Sequence, residues 1–176
     1  MGKIIRERKY DDNGNLIYSR TGDFKFWNEY DSNSNLIHHK DSDGYEYWKV
    51  YDENNNITHY RNSKGYEEWN EYNFNNNIIH SKNSKGYEEW YEYGYSGKKC
   101  IHYKNSKGYE KWYDYDINDN MIYRKDSEGT EEWREYDSDG KIMNLKKRVE
   151  EKEYDKENDC TIYTITTIEK QWYGGK

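Results

Sequence analysis

Residues 45–65 read YEYWKVYDENNNITHYRNSKG, and residues 66–86 read YEEWNEYNFNNNIIHSKNSKG. Both segments contain an aromatic and acidic run around a tryptophan, Trp48 or Trp69, followed by an Asn-rich stretch, a short apolar run and a Ser-Lys-Gly ending. Self-similarity at a fixed period is the signature of a repeat architecture. We therefore expect tandem units of 21 residues.

Tryptophan marks this period along most of the chain. The spacings are 21, 21, 21, 22 and 21 residues, at Trp27, Trp48, Trp69, Trp90, Trp112 and Trp133. A tyrosine follows each tryptophan three residues later, at Tyr30, Tyr51, Tyr72, Tyr93, Tyr115 and Tyr136. We predict that these twelve aromatic residues pack neighbouring units together, because large amphipathic rings bury area while their polar tips stay hydrated.

The frame continues on both sides of the tryptophans, at Tyr10-Asp11 and, in degenerate form, at Tyr154-Asp155. That makes about eight units. The one interval of 22 residues has its extra residue between Gly94 and Lys99, where we expect a longer loop or a bulge.

Each unit has the composition of two strands and two turns. Residues 45–52 and 57–62 are rich in Tyr, Trp and β-branched side chains and are bounded by Asn, Asp, Ser and Gly, while Ala and Pro are absent from the chain. We predict an all-β fold of tandem β-hairpin repeats that form an elongated, twisted single-layer antiparallel sheet or spiral strip with a C-terminal capping hairpin. Residues 1–147 are expected to form the array, and residues 148–176 the degenerate last repeat and the capping strands, 148–155 and 161–169.

Composition bounds the possible partners. The formal net charge is −7, opposite to the basic surface that binds phosphate, so direct nucleic-acid binding is not expected. The apolar runs are too short to cross a bilayer, and the first thirty residues lack the pattern of a secretion signal. With two isolated cysteines, Cys100 and Cys160, we expect no disulfide framework and predict a cytoplasmic location.

The pattern Tyr30-Asp31-x-x-Ser34-Asn35-Leu36, followed by Gly44 and then Tyr51-Asp52, resembles in frame and period the YD repeat of RHS-type proteins. Those repeats commonly have Gly where Ser34 stands and lack a regular tryptophan. The Trp-containing version is also similar to the MORN-like repeats of YwqK-type antitoxins. The resemblance implies a β-hairpin strip with a scaffolding or interaction role, and it brings no catalytic residues to transfer.

Four histidines occupy one place in successive units: His38, His59, His80 and His102. Tyr18 and Tyr123 hold that place on either side. Equivalent strands of a meander are about 9.5 Å apart, whereas a zinc ligand lies about 2.1 Å from its metal. We therefore predict no metal site and no cofactor, and expect these histidines at the surface.

Acidic residues recur on the tryptophan strand and basic residues on the other strand of each unit, which predicts cross-strand charge pairing or a stripe that binds a partner. The candidate partner-binding residues are Glu67, Glu68, Glu71, Glu88, Glu89, Glu92, His59, His80 and His102. Glutamates are so frequent that no carboxylate pair stands out as catalytic, and no phosphate loop or nucleophile motif is present. We predict that the protein is not an enzyme.

Two classes of function remain open. The first is a protein-interaction module, such as an inhibitor, antitoxin, immunity or anti-defence factor of a bacterium or phage, which binds a basic protein surface and covers the groove of a nucleic-acid-binding enzyme. The second is a structural RHS-like piece of a surface or phage assembly, or an aromatic platform for carbohydrate or single-stranded nucleic acid. A homodimer is compatible with either class.

Overall fold

The computed structural model describes residues 6–155 and 160–171. The chain divides into two compact units, residues 1–88 and 89–176. The strands of the first are β1 Arg6–Tyr10, β2 Leu16–Thr21, β3 Phe24–Tyr30, β4 Leu36–Asp41, β5 Glu46–Tyr51, β6 Ile57–Asn62, β7 Glu67–Tyr72 and β8 Ile78–Asn83. The second unit begins inside β9 Glu88–Tyr93 and continues with β10 Cys100–Asn105, β11 Glu110–Tyr115, β12 Met121–Asp126, β13 Thr130–Tyr136, β14 Ile142–Asp155 and β15 Cys160–Gln171.

Within each unit the strands pair antiparallel with their neighbours in sequence, so each unit is a meander of hairpins. The predicted all-β fold of hairpin repeats is confirmed, and no helix occurs in residues 6–155 and 160–171. The boundary predicted at residue 147 stays a prediction, and β14 runs across it. Residues 156–159 and 172–176 of the predicted cap lie outside the described residues.

Both kinds of turn use the same side-chain device. In residues 52–56 the main-chain N–H of Asp52 donates to the carbonyl of Asn56 at 3.0 Å, and Asp52 Oδ1 accepts two main-chain N–H groups of the turn, both at 2.9 Å. The side-chain amide of Asn56 also donates to Asp52 and lowers the pKa of that carboxyl. In residues 62–66 Asn62 takes the part of Asp52. One Asx residue thus organises each reversal of the chain.

The fourth residue of each Asn-rich turn has a positive φ. Glycine occupies this position in some units, but Ser34, Asn55, Asn76 and Asp119 have φ between 61° and 66°. The glycine preference of the YD pattern at the position of Ser34 therefore has a backbone cause, since an L-residue in the left-handed region is strained.

The longer interval falls where the sequence predicts it. The main-chain N–H of Gly94 donates to the carbonyl of Lys99 at 2.9 Å, five residues on, whereas the corresponding bond from Asp52 spans four residues to Asn56. The extra residue lengthens this one turn without shifting the strands on either side.

Hydrogen bonds made by turn residues connect neighbouring repeats. The N–H of Ser63 donates to the carbonyl of Glu46 at 2.7 Å, and the N–H of Glu46 donates to Ser63 Oγ at 3.1 Å. At the opposite ends of the strands Asn35 Nδ2 donates to Asn55 Oδ1 at 2.7 Å. Polar side chains therefore hold adjacent hairpins together at both ends of the strands.

The described residues form no apolar core. No hydrophobic side chain among them is buried, and the buried polar or charged residues are Ser19, Asn70 and Glu132, which are 9%, 7% and 4% exposed. Each unit is consequently a single layer, whose two faces are half-buried by the side chains of adjacent strands.

Replacing Asp119 by glycine is expected to stabilise the protein. Glycine adopts the φ of 66° at this position without steric strain, which should raise the free energy of unfolding by about 0.5–1 kcal/mol. Chemical denaturation measures the change. The reverse substitution Gly140→Asp, at the equivalent position of the next turn with φ of 76°, is expected to lower stability by a similar amount. Equal stabilities for the two variants would contradict this explanation.

Candidate functional site

The strand registers define two faces. The Trp face carries the repeat tryptophans, because Trp48 pairs with His38 on one side and with Arg61 on the other. The Tyr face carries the intervening residues, such as Tyr47 and Tyr60. Each unit of the chain has both faces, and residues that are directly paired across strands lie on the same one.

On the Trp face the indoles of Trp48, Trp69 and Trp112 each lie between an imidazole of the preceding strand and a cation of the following strand. The rings of His38 and Trp48 are 5.1 Å apart and 7° from parallel, and the guanidinium of Arg61 lies 4.5 Å from the centre of the Trp48 ring. The same order occurs for His59, Trp69 and Lys82 in the first unit and for His102, Trp112 and Lys125 in the second. Such stacking and cation–π contacts are each worth roughly 0.5–1.5 kcal/mol.

Where tyrosine replaces histidine, the ring contact changes. Tyr18 and Trp27 are 5.7 Å apart and tilted by 49°, and Tyr123 and Trp133 are 5.4 Å apart and tilted by 40°. Parallel stacking on the Trp face is therefore a property of the repeats that contain histidine.

The histidines also bridge glutamates. His38 Nδ1 lies 3.2 Å from Glu29 and its Nε2 lies 2.8 Å from Glu46, so one ring contacts carboxylates from both flanking strands. His80 contacts Glu71 at 3.4 Å and Glu88 at 3.2 Å in the same way. In the second unit His102 bridges Glu92 and Glu110. His59 contacts Glu67, while Val50 takes the place of the other glutamate.

The predicted partner-binding set is divided between the faces. In the first unit Glu67, Glu71, Glu88, His59 and His80 lie on the Trp face, and in the second unit Glu92 and His102 lie on its Trp face. Glu68 and Glu89 lie on the Tyr face, where Glu68 accepts the hydroxyl of Tyr66 at 2.7 Å and Glu89 accepts that of Tyr103 at 2.7 Å. Within each unit the candidate residues therefore lie on both faces, and their role in binding a partner stays a prediction.

Oppositely charged side chains that face each other across neighbouring strands do not always form ion pairs. The register places Arg61 opposite Glu67, yet the carboxylate of Glu67 contacts His59 and the guanidinium of Arg61 lies over Trp48. The result is a Trp face on which carboxylates, imidazoles and cations alternate.

In several repeats the tyrosine that follows the tryptophan by three residues donates its hydroxyl hydrogen to a main-chain carbonyl. The register shifts at Val50/Tyr51, beside Ile57, as it does at the matching place of other hairpins. Tyr51 donates its hydroxyl hydrogen to the carbonyl of Leu36 at 3.1 Å, and Tyr72 donates to Ile57 at 2.9 Å. Tyr115 and Tyr136 make the corresponding bonds in the second unit.

Solved structures share this fold. The crystal structure of TcdB2-TccC3-TEV matches 90% of the chain with a TM-score of 0.67 and 13% sequence identity. That of TcdB2-TccC3-Cdc42 matches 90% of the chain with a TM-score of 0.66 and 14% sequence identity. The structure of the Tc holotoxin pore of Photorhabdus luminescens matches 88% of the chain with a TM-score of 0.62 and 15% sequence identity. TccC3 is an RHS/YD-repeat protein. This chain has the fold of an RHS/YD-type hairpin strip.

The match extends along nearly all of this strip but spans only 10% of each of the longer chains. The resemblance to the YD repeat is thereby confirmed as a resemblance of fold. No protein-family model and no curated protein matches the sequence.

The Tyr face of the second unit contains an open concavity of about 620 Å³. Six tyrosines line it together with Glu89, Cys100 and Lys111. Burial raises the pKa of the Cys100 thiol, which keeps the sulfur protonated and unreactive. Its Sγ lies 3.3 Å from the carbonyl of His102, so Cys100 behaves as a packing residue in the strip.

One ionic cluster was not foreseen from the sequence. Glu132 is buried between Arg124, at 2.8 Å, and Arg134, at 2.5 Å, on the Tyr face of the second unit. The available signal was that two arginines flank a glutamate across one hairpin, where none of the other repeats has an arginine at either position. Burying one carboxylate between two guanidinium groups satisfies both of its oxygens.

Residues 6–155 and 160–171 include no helix long and apolar enough to span a membrane. They also include no group of three or more His, Cys, Asp or Glu side chains placed to hold a metal ion.

Raising the pH past 10 is expected to destabilise the strip. Hydrogen bonding to Glu68 raises the pKa of Tyr66 to about 12, and burial raises the pKa of Tyr51 and Tyr72 above the ordinary 10.0. The folded state holds these protons more tightly than the unfolded chain does. The stabilisation is therefore complete below pH 10 and is lost between pH 10 and 12.

Tyrosinate absorbance and far-ultraviolet circular dichroism, recorded together through this range, check the expectation. We expect loss of the sheet to accompany tyrosine ionisation. An intact sheet after all tyrosines have ionised would contradict the assignment.

Proposed function

We propose that the chain is a non-enzymatic structural segment, a hairpin strip of RHS/YD type that forms part of a larger protein wall or assembly. One observation carries this proposal: the residues that define the repeat make their contacts with neighbouring strands. Tryptophans stack on histidines, turn residues bond to the next turn, and tyrosine hydroxyls cap main-chain carbonyls. The repeat is thus explained by cohesion of the array.

The fold comparison supports the same role. The strip corresponds to 10% of the length of the chains that it matches, so in those proteins this architecture is one part of a much longer polypeptide. We propose that here too the strip provides surface and shape, and that chemistry, where it is needed, belongs to another part of the assembly.

The contacts of the indoles that stack on histidine argue against the aromatic-platform alternative at those repeats. A base or a sugar ring stacks on an exposed aromatic face, but the Trp48 indole is flanked by His38 and Arg61. A ligand would have to displace both contacts before it could stack.

The inhibitor hypothesis is retained as a second candidate because of three outward-facing carboxylates. Glu29, Glu71 and Glu92 have side chains that are 69%, 69% and 68% exposed. In this alternative they would contact a basic surface on a partner, such as the groove of a nucleic-acid-binding enzyme in the cytoplasm. The cations interleaved on the same face weaken such a field, and we therefore favour the structural role.

A charge-reversal experiment separates the two candidates. The tagged protein is purified from its native host at low and high salt, as wild type, as the E71K/E92K variant and as the matched control E53K/E128K, whose glutamates lie in exposed turns. The structural proposal predicts that all three forms recover the same proteins. Circular dichroism of each variant verifies that the sheet is retained.

The opposite result would favour the inhibitor. It consists of a single stoichiometric partner that wild type and the control retain at low salt and that E71K/E92K loses at least tenfold. That outcome would overturn the structural proposal, because a strip held together by internal contacts has no need of those two carboxylates to bind a partner.

A further inference from the structure

The last strand, β15, differs from the repeats. From Cys160 to Ile168 it reads CTIYTITTI, with no charged residue. Its inner edge pairs with β14 along its whole length. Among residues 6–155 and 160–171, no strand pairs with its outer edge. An uncharged run of nine residues along an open edge has main-chain groups available to pair with another chain.

The apolar side chains of β15 are exposed on both faces. Ile162, Tyr163, Ile165 and Ile168 are 45%, 59%, 54% and 46% exposed. The strand β13 pairs with β14 only as far as Val149, so beyond that point β14 and β15 form a two-stranded ribbon within the described residues. A two-stranded ribbon is marginally stable in water and gains from a third strand.

The strand at the other end of the order is protected in a way that β15 is not. β1 reads RERKY, with charges at Arg6, Glu7, Arg8 and Lys9. Charged side chains are a common means of preventing edge-to-edge pairing. The contrast between the two terminal strands points to β15 as the edge that is used.

The sequence of β15 is self-complementary. Two copies of a strand can pair antiparallel about a two-fold axis perpendicular to the sheet. Each side chain then stays on its own face, and the residue at the axis lies opposite the same residue of the second copy. With the axis at Ile165, Thr164 lies opposite Thr166 and Ile162 lies opposite Ile168. At these positions like side chains meet across the interface, Tyr163 lies opposite the β-branched Thr167, and no two charges of the same sign are opposed.

We propose that two copies of this chain pair antiparallel through β15, with Ile165 opposite Ile165 of the second copy. The two ribbons then join into one sheet across the interface, and the pairing closes as a dimer. This inference goes beyond the proposed structural function and does not depend on it, since a strip can have a structural role as a monomer or as a dimer.

The test uses opposite charges at the axis. Sedimentation velocity over a wide concentration range compares the wild type with I165K, I165E and an equimolar mixture of the two variants. We expect the wild type to form a species of twice the 21.7 kDa chain mass, and each variant alone to be monomeric, because like charges oppose each other at the axis. The mixture is expected to regain the dimer, since a lysine then faces a glutamate.

The control is I117K, in the turn between β11 and β12, where Ile117 is 98% exposed. This variant adds the same charge away from β15 and is expected to dimerise as the wild type does. Circular dichroism verifies folding of all variants, and recovery of the dimer in the mixture distinguishes a lost interface from a misfolded strand.

Four results would overturn the proposal. The first three are a wild type that stays monomeric at every concentration, a dimer that persists in I165K alone, and a mixture that fails to regain the dimer. The fourth is an assembly larger than a dimer, because a two-fold pairing through one edge closes on itself. A monomeric wild type would leave the charge-reversal test of the structural function unaffected.

Discussion

The contact between an indole and the side chains of the two adjacent strands is the interaction on which this structure depends. The described residues bury no hydrophobic side chain, so no central core holds distant parts of a unit together. Each strand must be stabilised by its immediate neighbours. The order of imidazole, indole and cation provides that stabilisation on one face, while tyrosine hydroxyls and Asx turns satisfy the polar groups of the main chain. Stability in such an array is approximately a sum of nearest-neighbour terms.

This dependence changes how the repeat residues should be interpreted. A histidine or glutamate that recurs in repeat after repeat suggests a binding site. Yet the ring of His38 stacks on Trp48 and its Nε2 contacts Glu46, so both residues make their contacts within the sheet. Departures from the repeat are more informative. They include Val50 beside His59, the buried Glu132 with its two arginines, and the uncharged run 160–168 of β15.

Much of the fold was predictable because the tryptophan period fixes strand, turn and face together. The strand predicted at residues 57–62 is β6, Ile57–Asn62, and the extra residue of the long interval lies in the turn after Gly94. The positions of the side chains were less accessible. Arg61 and Glu67 are opposite in register, but whether a guanidinium contacts a carboxylate or an indole depends on rotamers that periodicity does not specify. Alternation along the strand predicts that Glu67 and Glu68 lie on opposite faces. It does not predict that Tyr66 donates its hydroxyl hydrogen to Glu68, because that bond also depends on rotamers.

The heat capacity change of unfolding tests the central claim most directly, and differential scanning calorimetry of the full chain at low concentration measures it. Globular proteins with an apolar core show about 12–15 cal/mol/K per residue, because unfolding exposes a large apolar surface. A single-layer strip whose rings are half-exposed when folded exposes less new apolar surface, and we predict a value clearly below that range. A value within the globular range would contradict the account, because it would require a buried apolar core.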